Sequence, residues 1–94
     1  MRLSHDDTEL AKLAVAAYGK ELQLDCLIEE MAELMVAINH NRRHRVQMDK
    51  VVEEIADVMV MLDQAAYLFD VKDEDINFSQ EKLRKKLRKK GAPV

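Results

Sequence analysis

Residues 27–38 read LIEEMAELMVAI and residues 51–62 read VVEEIADVMVML. A shift of 24 positions aligns them, pairing Glu29 with Glu53, Glu30 with Glu54 and Glu33 with Asp57, and matching Ala32, Met35 and Val36 to Ala56, Met59 and Val60. Apolar residues in each stretch recur at intervals of three and four, the pattern of an amphipathic α-helix. Two helices with one pattern can pack antiparallel about a local twofold axis, which buries the matched stripes together and turns the carboxylates toward each other.

Around the repeat, the spacing predicts four helices. Leu10, Leu13, Ala14 and Ala17 form the stripe of a first helix over 7–18, with Ser4, Asp6 and Asp7 as capping candidates and Gly19 beyond it. The second helix starts near Leu24 and carries Leu27, Ile28, Met31, Leu34, Met35 and Ile38 into the polar, basic segment from His40 to Arg45. Asp49 is the expected cap of the third, whose stripe is Val51, Val52, Ile55, Val58, Met59, Leu62, Ala66 and Phe69 and which stops near Asp70. A fourth, over 74–90, has a thin apolar face (Ile76, Leu83, Leu87) before Gly91 and Pro93.

The chain has 94 residues, 48% hydrophobic and 35% charged, with 2 Gly and 1 Pro, a mixture suited to packed helices and not to a β-sandwich. We expect one domain over 1–94, an all-α antiparallel four-helix bundle whose last helix includes the basic tail 82–94. A monomer this small buries little surface, so a homodimer or homotetramer is expected to supply further core. The single cysteine, Cys26, excludes an intrachain disulfide, no signal-peptide pattern opens the chain, and every apolar run is broken by Asp or Glu. A cytoplasmic protein with no membrane partner is expected. Seven of the fifteen Lys and Arg residues lie between 82 and 90, leaving eight against eighteen acids elsewhere. That acidic body repels a phosphate backbone, which disfavours nucleic acid as a partner.

At about 100° per residue, Glu30 and Glu33 lie about 60° apart, with Glu30 about 40° from Leu34; Glu54, Asp57 and Val58 repeat the placement. All four acids are predicted at the rim of the core. Any one of them alone reads as a solvated acid, but the shared phase of the repeat argues against that for the set. Four gathered carboxylates raise one another's pKa unless a divalent cation neutralises them, and oxygen-only ligands favour Mg²⁺, with Mn²⁺ as a substitute.

The segment Glu29-Glu30-Met31-Ala32-Glu33, followed by Glu54-Ile55-Ala56-Asp57, resembles the EExxE and ExxD motif pair of MazG-like all-α nucleoside triphosphate pyrophosphohydrolases. Tyr18 to Asp25 before the first motif and Glu81-Lys82-Leu83 after the second resemble compact single-domain members of that family. The resemblance implies Mg²⁺ held by Glu30, Glu33, Glu54 and Asp57, and hydrolysis of the α–β phosphoanhydride of a nucleoside triphosphate to monophosphate and pyrophosphate. It implies that Glu29 or Glu30 orients or deprotonates the attacking water. Lys82 in the EKL element is the implied phosphate contact, with Lys85 or Lys86 one turn away; Arg42, with Arg43 and Arg45 in the loop between the acidic helices, is a second source of cations. Tyr18 and Gln23 are the implied nucleoside contacts. Arg84-Lys85-Lys86-Leu87 departs from the family's usual Leu followed shortly by Arg.

His5, His40 and His44 have no Cys or His partner at zinc spacing. Met31, Met35, Met59 and Met61 read as core or subunit interface. Two alternatives stand beside the main reading: a phosphoribosyl-ATP pyrophosphatase of similar fold, and a non-catalytic helical self-association module with a basic tail.

Overall fold

The computed structural model describes residues 7–94, which form four helices, α1 (Thr8–Tyr18), α2 (Lys20–Arg42), α3 (Met48–Leu68) and α4 (Asp73–Lys89), with no strand among them. The all-α class expected from the sequence is the one observed. Among the described residues no helix is long and apolar enough to cross a membrane. Ser4, His5 and Asp6 lie outside the described residues. Asp7 caps α1, its carboxylate accepting from the Leu10 N–H at 3.0 Å.

Gly19 ends α1 and starts α2 at φ 90°, a left-handed backbone that strains any residue with a Cβ. One glycine therefore does the work of a loop, and α2 begins at Lys20 instead of near Leu24. Gln47, not Asp49, occupies the N-cap position of α3, without a side-chain capping hydrogen bond; Asp49 sits in the first turn, where its charge suits the positive end of the helix dipole. The Asn41 side chain donates to the Val46 carbonyl at 3.1 Å, which pins the turn between α2 and α3. At the start of α4 the Lys72 N–H donates to the Asp75 carboxylate at 2.9 Å, and Gly91 at φ 89° follows its end.

Gln23 of α2 meets Gln64 of α3, Glu33 lies beside Glu54, and His40 shares a cavity with Val46 and Lys50. Rising numbers on α2 thus meet falling numbers on α3, the antiparallel pairing that the repeat predicts. Helix α1 packs on both, and the Lys12 ammonium lies 5.9 Å from the centre of the Tyr67 ring. The buried apolar core is Ala11, Leu27, Ala37 and Val58, joined by Gln23, Glu54 and Gln64.

This buried face differs from the predicted stripes. On α2 the inward line runs Gln23, Leu27, Glu30, Leu34, Ala37, while Ile28 and Met35 are 62% and 63% exposed. On α1 Ala11 faces inward and Leu13 is 66% exposed; on α3 the line is Glu54, Val58, Met61, Ala65, with Val52, Ile55, Leu62 and Phe69 exposed. The repeat gives α2 and α3 two apolar flanks, and the chain packs along the seam where small residues let the helices approach.

Helix α4 has no buried residue and makes no close helix-to-helix contact with α1, α2 or α3. The radius of gyration is 15.9 Å, against about 12 Å for a compact chain of this length. Three helices form the packed unit and the fourth stands off.

The Gln23 amide donates to the Gln64 side-chain oxygen inside the seam. Replacing Gln64 by Leu leaves that buried donor without its acceptor and is expected to cost about 1–3 kcal/mol. The double variant Q23L/Q64L removes both polar groups and is expected to regain part of the loss. Urea unfolding at fixed protein concentration checks both.

Candidate metal centre

Antiparallel pairing of the two motif helices gathers three carboxylates. Glu30 and Glu33 come from successive turns of α2 and Glu54 from α3, and each offers an oxygen within 4.8 Å of the other two. Glu54 is 4% exposed, Glu30 is half-buried and Glu33 is exposed, so the group opens from the seam toward solvent. Glu30 and Glu54 therefore lie on the packing line itself and not at the rim. The physical reason is the alternating four and three spacing from Gln23 to Ala37, which carries Glu30 into the seam along with Leu27 and Leu34.

Asp57 is exposed, one turn beyond Glu54; it stays outside the three-carboxylate group yet lies close enough to act on Glu30. Burial pushes the Glu30 carboxyl above the ordinary carboxylate value, and the negative charges of Glu33, Asp57, Glu54 and Glu29 push it further. One oxygen of Glu30 and one of Glu54, both Oε2, are buried with no hydrogen-bond partner among the described residues. Buried carboxylate oxygens without donors are costly, and they are what a hard cation would satisfy. Ligand oxygens about 2.0–2.1 Å from Mg²⁺ lie about 3–4 Å from one another, so the observed group needs only small side-chain movements to hold one. The donor set fits a hard divalent cation.

Lys50, not singled out in the sequence, pairs with Glu54 Oε1 at 2.8 Å. The hydrogen bond and charge of Glu54, with Glu53 and Glu33, hold the Lys50 ammonium above its usual pKa. Its signal was the i, i+4 spacing to Glu54. Lys50 also lines a cavity of about 440 Å³ with Glu33, Glu54, His40, Ala32, Val36, Ala37 and Val46.

The other candidate residues lie elsewhere in the protomer. Lys82 and Lys85 are exposed on α4, which does not approach the carboxylates, and the Lys82 ammonium lies 5.4 Å from the centre of the Phe78 ring. Glu81 of the same element pairs with Arg88 at 2.9 Å and Arg84 at 3.3 Å, which holds its carboxyl below the usual range. Arg42 is exposed at the end of α2, and Glu29 is exposed beside Glu30. Tyr18 is exposed at the end of α1, whereas the Gln23 amide is buried against Gln64.

The family model of the MazG nucleotide pyrophosphohydrolase domain matches residues 19–91. No curated protein and no solved structure matches the chain.

With its carboxyl raised, Glu30 binds a proton more tightly in the native state than in the unfolded chain. Below the ordinary carboxylate value both states are protonated and nothing is lost. As pH rises through the raised native value, the native state must ionise and stability falls. In EDTA, the melting-temperature advantage of Glu30→Gln over wild type is therefore expected to grow as pH rises from below the ordinary carboxylate value to neutrality; a pH-independent gap would contradict this cause.

Proposed function

Because this chain belongs to the MazG nucleotide pyrophosphohydrolase family, we propose that it hydrolyses the α–β phosphoanhydride of (deoxy)nucleoside triphosphates with Mg²⁺, giving monophosphate and pyrophosphate as a nucleotide-pool house-cleaning enzyme. The observation that carries this reading is the group of Glu30, Glu33 and Glu54 with its two orphaned, buried oxygens. These three, with Asp57 at the solvent side, would hold the metal. A divalent cation bound there supplies neutralisation of the polyphosphate charge and polarisation of the phosphorus.

The chain's own residues do the rest. Water adds to the α-phosphorus, the bond to the bridging oxygen breaks, and pyrophosphate leaves with that oxygen. Glu30 or its exposed neighbour Glu29 takes the proton from the water. Exclusion of water from the Glu54 side strengthens each charge interaction in the seam. Lys82, Lys85 and Arg42 are the phosphate contacts in this reading, and Tyr18 and Gln23 the nucleoside contacts. Because α4 stands off its own α2–α3 pair, Lys82 and Lys85 meet a site only through another copy or a movement of α4.

Exposed Ile28, Met35, Val52 and Ile55 support assembly as a homodimer or homotetramer. A cytoplasmic, single-domain enzyme completes the proposal. The same exposed faces favour the second reading, a non-catalytic self-association module, but that reading gives no reason for unpartnered carboxylate oxygens inside the seam.

Pyrophosphate release from a panel of canonical and modified triphosphates tests the choice. Release is expected with Mg²⁺, is abolished by EDTA, and falls about 100-fold or more in Glu54→Gln with helical content unchanged. Release indifferent to EDTA would overturn the metal site.

A further inference from the structure

The repeat that builds the site is broken at one chemically decisive position. Lys50 stands one turn before Glu54, and its counterpart under the 24-residue shift, one turn before Glu30, is the uncharged Cys26. His40 likewise corresponds to Gln64, which is buried against Gln23. A near-symmetric carboxylate group is thus flanked by Lys50 and His40 on one side and by Cys26, Gln23 and Gln64 on the other. Only the first side opens into the cavity of about 440 Å³.

The Lys50 side chain is half exposed while its partner carboxylate is buried. Its ammonium sits at the cavity wall, and Lys preceding Glu is the weaker orientation for an i, i+4 pair. A cation drawn to the buried oxygens of Glu54 competes with Lys50 for that carboxylate, and the flexible lysine stem is the group free to move. The cavity beside it has an apolar floor of Val36, Ala37 and Val46, with His40 also in its lining.

We propose that Lys50 gives the site its direction: it leaves Glu54 when metal loads and binds the departing pyrophosphate in the cavity between the end of α2 and the start of α3. This rests on the reading given under Proposed function, and it orients the nucleotide with its β- and γ-phosphates toward Lys50 and its nucleoside toward the Gln23 end. Lys50 is then a binding residue for the leaving group, separate from the carboxylates that hold metal.

Calorimetric titration of the full chain with inorganic pyrophosphate in saturating Mg²⁺, and separately with AMP, tests the assignment. Lys50→Met is expected to weaken pyrophosphate binding about 10-fold or more, the loss of one charge-assisted contact, while AMP binding changes less than about 3-fold. Lys50→Arg, which keeps the charge, is expected to retain pyrophosphate binding within about 3-fold. Titration with Mg²⁺ alone is expected to show equal or tighter binding to Lys50→Met, because a competing cation is gone. Equal pyrophosphate affinity in wild type and Lys50→Met overturns this inference and leaves the carboxylate site standing. Parallel loss of pyrophosphate and AMP in both variants assigns Lys50 a structural role and also overturns it. A wild-type protein that binds no pyrophosphate with Mg²⁺ overturns it together with the proposed function.

Discussion

Everything in this fold depends on a carboxylate placed inside a helix seam. Glu54 is buried between α2 and α3 with one oxygen on Lys50 and the other without a partner among the described residues, and Glu30 presents a second such oxygen to the same seam. Such a placement is expensive: taking a carboxylate out of water costs several kcal/mol, which a single half-exposed lysine partner returns only in part. Among the described residues only Ala11, Leu27, Ala37 and Val58 are buried as apolar core, so the chain has little surplus with which to offset that cost. A divalent cation bound there would convert the penalty into a set of bonds and would couple the stability of the seam to its chemistry.

Much of this is legible from residue spacing. The repeated motif places Glu30, Glu33 and Glu54 on facing helices, and antiparallel pairing of identical patterns brings them together without further assumption. Helix ends set by Asp7, Asp70 and Gly91 fall where local chemistry puts them. The miss at the start of α2 has a simple source: a glycine at positive φ can join two helices directly, so the absence of periodicity in Lys20 to Gln23 does not mark a loop.

Which face would be buried was harder to read. Each of α2 and α3 is apolar on two flanks, and periodicity alone cannot choose between a seam of Leu27, Leu34 and Ala37 and a stripe of Ile28, Met31 and Met35. The small residues Ala11 and Ala37 decide it through packing, a long-range property that single-helix geometry does not contain. The same choice carries Glu54 from the expected rim into the core. Lys50 escaped notice because a lone Lys four residues before a Glu is ordinary on any helix; it gains meaning only when the partner carboxylate turns out to be buried. The position of α4 is likewise invisible in its sequence, since a thin apolar face fits a helix packed at an edge as well as one that stands clear.

In the proposed metal centre, Glu30, Glu33 and Glu54 would hold one cation in the α2–α3 seam. The most direct measurement is anomalous scattering from crystals of the full chain soaked in Mn²⁺. A peak is expected within about 2.0–2.3 Å of oxygens from all three residues, with Lys50 no longer in contact with Glu54. A strong peak elsewhere, or an undisturbed Lys50–Glu54 pair with no peak in the seam at saturating Mn²⁺, would contradict it.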